Sequence, residues 1–206
     1  MFTIFDEEQE TYIQVEEPDY SLTYTYADYL IWKYEERLEL IRGKIFKMSP
    51  APNPVHQQLT MKISGELFLF LKGTQCQVYP APLDVRLPVQ NRKKDHEVTT
   101  VVQPDVCVIC DLSKIDDKGC CGAPDLVVEI LSPGNSRKEV RLKFELYEEA
   151  GVKEYWLVNP AEQNLVVYVQ KEAGKFEGGK MYTDGDQLES WAVPGFILEV
   201  SEIFTR

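Results

Sequence analysis

The sequence predicts a mixed α/β fold, a sheet flanked by helices, and three observations carry that prediction. Apolar runs of strand length recur at 101–109, 126–131, 154–158 and 165–169. Helical periodicity is confined to separate stretches, above all 56–71 and 136–150. Strands and helices therefore interleave along the chain, which gives an α/β sandwich rather than an all-β fold.

The elements follow in order. Residues 1–20 are acidic, contain Pro18 and read as an extended N-terminal arm, leaving 21–206 as a single domain. Tyr26, Tyr29, Leu30 and Lys33 stand at helical spacing, which predicts a first helix over 23–34. Residues 37–41 and 44–48 alternate around Arg42-Gly43, a hairpin signal. Pro50, Pro52 and Pro54 break the chain. Leu59, Ile63, Leu67, Phe70 and Leu71 then trace one apolar stripe, predicting a long amphipathic helix over 56–71. Two short strands follow at 75–79 and 83–87, and 88–100 is a polar loop. After the strands at 101–109 and 126–131 come a helix over 136–150 and a buried strand at 154–158. Residues 165–169, a turn at Gly178-Gly179 and 196–200 close the chain as a β meander.

At 206 residues with 44% hydrophobic content, the chain has enough apolar material for a full core. No apolar run approaches the length of a membrane span, and the first residues lack the pattern of a secretion signal. The expected location is cytoplasmic, with no membrane partner. The net charge of −12 argues against broad, nonspecific coating of nucleic acid, although a basic cleft needs only local charge. Two local patches qualify: Arg92-Lys93-Lys94, best read as a solvated loop tip, and Arg137-Lys138 with Arg141 and Lys143. The five cysteines are expected to be reduced. Cys107 and Cys110 form a C-x-x-C, but an odd separation within a strand sends the thiols to opposite faces. Thiols buried as small hydrophobes are expected there, rather than a zinc site.

Asp105 and Glu129 stand in apolar strand runs, where a buried carboxylate costs several kcal/mol unless a cation or donors compensate it. If 101–109 and 126–131 pair antiparallel about a connection centred near Asp117, residues whose numbers sum to 234 face one another. Asp105 then opposes Glu129 on one face, with Cβ atoms about 5 Å apart, within reach of one divalent ion. Asp125 shares that face but lies about 13 Å along the strand, and reads as a residue starting the strand. On the following helix, at about 100° per residue, Lys143 and Tyr147 fall on the apolar face with Leu142 and Leu146, and Arg141, Glu145 and Glu148 on the other. An inward lysine needs an anion: the carboxylates, a bound phosphate, or Glu139 at i, i−4. Ser136 and Glu139 match a capping box. The turn from Ser132 to Ser136, with Arg137 and Lys138 beside it, is either a phosphate contact or an ordinary capped turn. His56, near a helix start, either contacts the site or serves as a cap or packing residue.

These residues resemble the PD-(D/E)XK nuclease superfamily, whose fold is restriction-endonuclease-like, and in particular its Uma family. The resemblance spans about 25–168. It rests on Leu38-Glu39-Leu40-Ile41-Arg42-Gly43, on Met48-Ser49-Pro50-Ala51-Pro52 with His56, on Gln103-Pro104-Asp105, and on Pro124-Asp125-Leu126-Val127-Val128-Glu129-Ile130-Leu131-Ser132-Pro133. Lys143 with Tyr147, and Gly151-Val152-Lys153-Glu154-Tyr155-Trp156-Leu157-Val158, complete it. The resemblance implies that Asp105, Glu129 and the carbonyl of Ile130 bind Mg²⁺ or Mn²⁺, and that Glu39 lies near the site. Leu131 stands where the superfamily usually places its lysine, and the resemblance implies that Lys143 takes that role from the helix. Arg42 and Lys44 differ from the acidic or amide residues usual at those places.

The expected function is metal-dependent hydrolysis of DNA, with Asp105, Glu129, Lys143 and Glu39 catalytic. Ser132, Arg137, Lys138 and His56 are expected on the substrate side, and the chain as a possible homodimer. The alternative is a noncatalytic binding scaffold that keeps the nuclease fold.

Overall fold

The computed structural model describes residues 2–6, 11–15, 21–33, 37–48, 53–88, 93–134, 136–172 and 174–205. Pro18, Tyr34, Pro50, Pro52, Arg92 and Asn135, all used above, lie outside the described residues. In chain order the first elements are β1 (Phe2–Asp6), β2 (Thr11–Val15), α1 (Tyr26–Ile31), β3 (Trp32–Lys33), β4 (Leu38–Ile41) and β5 (Lys44–Lys47). Next come α2 (Pro54–Leu71), β6 (Gln77–Pro80), β7 (Val85–Arg86), β8 (Val101–Val102), β9 (Val106–Ile109), β10 (Ile115–Asp116) and β11 (Gly119–Cys121). The chain closes with β12 (Leu126–Ile130), α3 (Arg137–Ala150), β13 (Glu154–Asn159), β14 (Asn164–Val169), β15 (Lys180–Tyr182), β16 (Gln187–Glu189), β17 (Ile197–Glu199) and α4 (Val200–Phe204). They pack as two compact units, 1–50 with 86–102 and 51–85 with 103–206.

In the first unit, β1 pairs antiparallel with β2 and β3, so the first twenty residues contribute two strands to a sheet. α1 starts on a reciprocal cap: Asp28 Oδ2 accepts the Thr25 N–H at 2.7 Å while Thr25 Oγ1 accepts the Asp28 N–H. It is shorter than expected, because Trp32 turns extended and pairs with β1. Aromatic and β-branched residues favour that strand pairing over another helical turn. The β4–β5 hairpin forms as expected, with Arg42 and Gly43 both at positive φ (50° and 77°), as a two-residue turn between twisted strands requires. Gly43 is also obligatory on space: a Cβ there would lie 2.2 Å from Thr23 Cγ2.

The strand expected over 101–109 is two strands, and this corrects the sequence reading. β8 belongs to the first unit and β9 to the second, with Gln103-Pro104-Asp105 between them. Pro104 has no N–H to give a ladder, so pairing stops there.

The second unit carries a six-stranded mixed sheet in the order β15-β14-β13-β12-β9-β6. β12 and β13 are parallel, and α3 is the crossover that parallel neighbours require. The alternate residues Val106, Val108, Leu126, Val128, Trp156 and Val158 join Leu59, Ile63, Leu67 and Leu71 of α2 in one core. Phe70, placed in that stripe by the sequence, is 43% exposed and instead meets Phe196 edge-on at 5.4 Å. Residues of opposite parity, including Glu129 and Tyr155, lie on the face that α3 covers, where Tyr147 and Tyr155 pack at 5.2 Å. Glu148, expected on the solvated side, is drawn in by the Phe176 N–H at 2.8 Å and by Lys175, which hold its carboxyl below the usual range.

The expectation of reduced cysteines is also corrected: Cys76 and Cys110 form a disulfide. The β6–β9 register sets Gln77 opposite Ile109, so one further step sets these two cysteines face to face. Nothing in the local sequence marks partners 34 residues apart. Cys107 stays a buried free thiol.

Candidate active site

The β9–β12 ladder positions the first carboxylate. Leu126 pairs with Val108, Val127 with Cys107 and Val128 with Val106, the register expected from the sequence. One step further, Glu129 falls opposite Asp105, and one beyond that Ile130 falls opposite Pro104. Asp105 stands at a bend just before β9, not inside a strand. Its Oδ2 accepts the Ile130 N–H at 2.7 Å, satisfying a backbone donor just past the last paired residue of the ladder, while the missing proline N–H leaves the Ile130 carbonyl without a ladder donor. The N–H and C=O of an extended residue point to the same side, so the Ile130 carbonyl also faces this end of β9.

Glu129 is the second carboxylate, 12% exposed at its side chain. Its Oε1 accepts from Lys143 Nζ at 3.0 Å and from the Tyr147 hydroxyl at 2.6 Å. Lys143 and Tyr147 are one turn apart on α3, and both are buried. Lys143 therefore points inward, as its place on the helical wheel predicts, and its anion is Glu129 rather than Glu139. The helix is set at its start by Ser136, whose Oγ accepts the Glu139 N–H at 3.1 Å, and at its end by Gly151 at φ 86°.

His56 reaches the site from the first turn of α2. Asn53 caps that helix by accepting the His56 N–H at 2.9 Å, and the side chain then meets Asp105, Nε2 to Oδ2, at 3.2 Å. This contact raises the His56 pKa above its usual value; burial opposes the rise, while the Ile130 backbone and the charge of Glu129 add to it. Only an acceptor stabilises the imidazolium, so the Ile130 contribution is its carbonyl. Nδ1 is buried without a hydrogen-bond partner among the described residues. The His56 side chain thus sits against Asp105, and the cap is Asn53.

Asp105, Glu129, the Ile130 carbonyl, Lys143, Tyr147 and His56 are brought together. Arg137 and Lys138 are exposed on the first turn of α3, and Ser132 is half-buried just after β12. Glu39 is buried on β4 and belongs to the first unit. Asp125 stands just before β12, where it binds Lys153 at 2.6 Å and accepts the Cys110 N–H at 2.8 Å. Glu154 is a further buried acid whose role the sequence did not show. Fully buried, it accepts from Trp156 Nε1, Ser190 Oγ and the Ala192 N–H, each at 2.7 Å, and so fastens the C-terminal segment to β13.

Among the described residues no group of three or more His, Cys, Asp or Glu is arranged to hold a metal ion. The site instead offers two carboxylates and a backbone carbonyl. That hard oxygen set suits Mg²⁺, which binds through one or two carboxylates and keeps waters or substrate phosphate as its other ligands. It does not suit zinc.

A mixed sheet with one acid at the bend that opens β9 and the other on the neighbouring β12 fits the restriction-endonuclease-like class. A crystal structure of a putative nuclease from Anabaena variabilis shares the fold, with a TM-score of 0.68 and 21% identity over 88% of this chain and 97% of that one. Residues 26–201 match the Uma2 family, described as "Putative restriction endonuclease", and the chain belongs to that family. An uncharacterized protein of Synechocystis is 25% identical over 150 residues, 71% of this chain and 74% of its own length. No helix among the described residues is long and apolar enough to cross a membrane.

Proposed function

We propose that this protein hydrolyses DNA phosphodiester bonds with a divalent cation of the Mg²⁺ or Mn²⁺ type, held by Asp105, Glu129 and the carbonyl of Ile130. The convergence of those two acids with a buried lysine carries the reading. When bound, such a cation lowers the pKa of its water and neutralises charge on the phosphate. The chain's own residues supply the rest. Lys143 orients the attacking water and offsets negative charge as it develops on the phosphoryl oxygens. Tyr147 and Lys143 hold Oε1 of Glu129, while the Ile130 N–H and His56 hold Oδ2 of Asp105, so both acids are fixed before substrate arrives. Arg137 and Lys138, with Ser132, take the flanking phosphates. Glu39 enters this reading through the family resemblance.

The test is cleavage of plasmid and of single-stranded DNA with and without Mg²⁺ or Mn²⁺. Metal-dependent cleavage, reduced roughly a hundredfold or more by Asp105→Asn, supports the proposal. An intact plasmid and an intact strand under every metal condition overturn it.

One observation favours a noncatalytic scaffold as the second reading: each acid already has a basic side chain of the protein beside it, His56 on Asp105 and Lys143 on Glu129. Calorimetry separates the two. Heat on adding Mn²⁺ to the parent, absent in Asp105→Ala, favours the enzyme, and no heat in the parent favours the scaffold.

A further inference from the structure

On the Glu129 face of the sheet, on the β13 and β14 side of that acid, the second unit has a cavity of about 500 Å³. Three rings are in its lining: Phe144 from α3 and Tyr168 from β14, both part-exposed, and Tyr155 from β13, buried beneath them. Phe144 meets Tyr168 edge-on at 4.9 Å, and Tyr155 lies stacked on Tyr168 at 6.0 Å. Arg137 and Arg141 also line it, both from the exposed side of α3. Leu157 lines it and pairs with Glu129 in the parallel register, so the backbone of a lining residue stands one strand spacing, about 4.8 Å, from that of Glu129. A small recess containing Glu129 and Lys143 shares Leu131, Val140, Tyr155 and Leu157 with it.

The volume falls within the range of small-molecule sites. The part-exposed rings of Phe144 and Tyr168, with guanidinium groups at the same opening, suit one ligand chemistry: a flat aromatic group joined to an anion. A nucleobase on its phosphodiester is that group. A base paired in a duplex cannot enter a recess between a helix and a sheet; only an unstacked base can.

We propose that this cavity takes one unstacked base of the DNA strand beside the scissile phosphate, so that the substrate is single-stranded or unpaired DNA. This rests on the nuclease reading for the identity of the substrate, and its test is independent of cleavage. The measurement is fluorescence anisotropy in EDTA with a labelled single strand of about twelve nucleotides and with the matching duplex. The proteins are the parent, Phe144→Leu, Arg137→Glu, and Val140→Phe, which fills the cavity. Circular dichroism confirms that each is folded, and Arg137 is an exposed position whose replacement leaves packing intact. The single strand is expected to bind more tightly than the duplex, and Phe144→Leu and Val140→Phe to weaken it roughly 5- to 150-fold while duplex binding holds. Equal binding of strand and duplex by the parent, or parent-like strand binding by all three variants, overturns the proposal. So does a cavity that takes up anilinonaphthalene sulfonate and does not release it to thymidine monophosphate, which marks an apolar occupant. A protein that binds strands as described but never cuts them keeps this inference and loses the nuclease reading. One that cuts duplex DNA, with Phe144→Leu unimpaired, does the reverse.

Discussion

Lys143 and Glu129 meet at 3.0 Å between α3 and β12, with only 11% and 12% of their side chains exposed. Removing one partner of a pair so withdrawn from water leaves the other charge uncompensated, at a cost of about 3 kcal/mol or more. Glu129→Ala is expected to lower the urea midpoint accordingly. Combining it with Lys143→Met should recover much of the loss, because no buried charge then remains. Additive losses in the double variant would show that the two side chains are not coupled.

Tyr147 donates to the same oxygen that Lys143 holds, at 2.6 Å, and its ring is fully buried. Tyr147→Phe keeps the ring and deletes one hydrogen bond to a charged acceptor, a loss of roughly 1.5 to 3 kcal/mol of stability. On the nuclease reading Glu129 then keeps one of these two donors, and metal-dependent cleavage falls roughly tenfold or more. Parent-like cleavage would show that Lys143 alone positions the acid.

Much of this centre was legible because β-register is arithmetic. Once residues summing to 234 were set facing one another, Asp105 and Glu129 had to share a face, and the ladder has that register. Lys143 was legible for a similar reason, since helical periodicity puts it among apolar neighbours whatever the tertiary detail. The break in the strand at 101–109 was hidden by the valines on either side of Gln103-Pro104-Asp105, although Pro104, which cannot give a ladder N–H, was its local sign. His56 was ambiguous because a helix start offers it both a cap and a site, and the choice depends on where a bend in distant sequence carries Asp105. Glu154 was hidden for another reason. Two of its partners, Ser190 and Ala192, come from a segment some 36 residues on, which no local pattern connects to β13.

The Cys76–Cys110 bond closes a loop of 34 residues that includes the bend carrying Asp105. In the chain-entropy account, a loop of that length contributes about 3 to 4 kcal/mol by restricting the unfolded chain. Dithiothreitol, or Cys76→Ser, is expected to lower the unfolding midpoint by that order. Free-thiol titration of the denatured, unreduced protein should find three cysteines, not five, because Cys107, Cys120 and Cys121 are free. Five reactive thiols would place the native chain in the reduced form.

His56 gives the site a dependence on pH that runs in one direction. Its pKa is raised in the folded protein, chiefly by the hydrogen bond to Asp105, from an ordinary value of 6.5. A group whose folded pKa exceeds its unfolded one binds protons more tightly when folded, so its contribution is complete below that ordinary value. It fades as pH climbs from there through the folded pKa. The urea midpoint of the parent in EDTA is therefore expected to decline as pH rises above 6.5, while His56→Gln, which cannot take up the proton, should show a flatter profile over the same window. Subtracting the two curves isolates the histidine from every other titrating group. A difference that grows with rising pH would mean that burial outweighs the Asp105 carboxylate and that the imidazole sits neutral beside it.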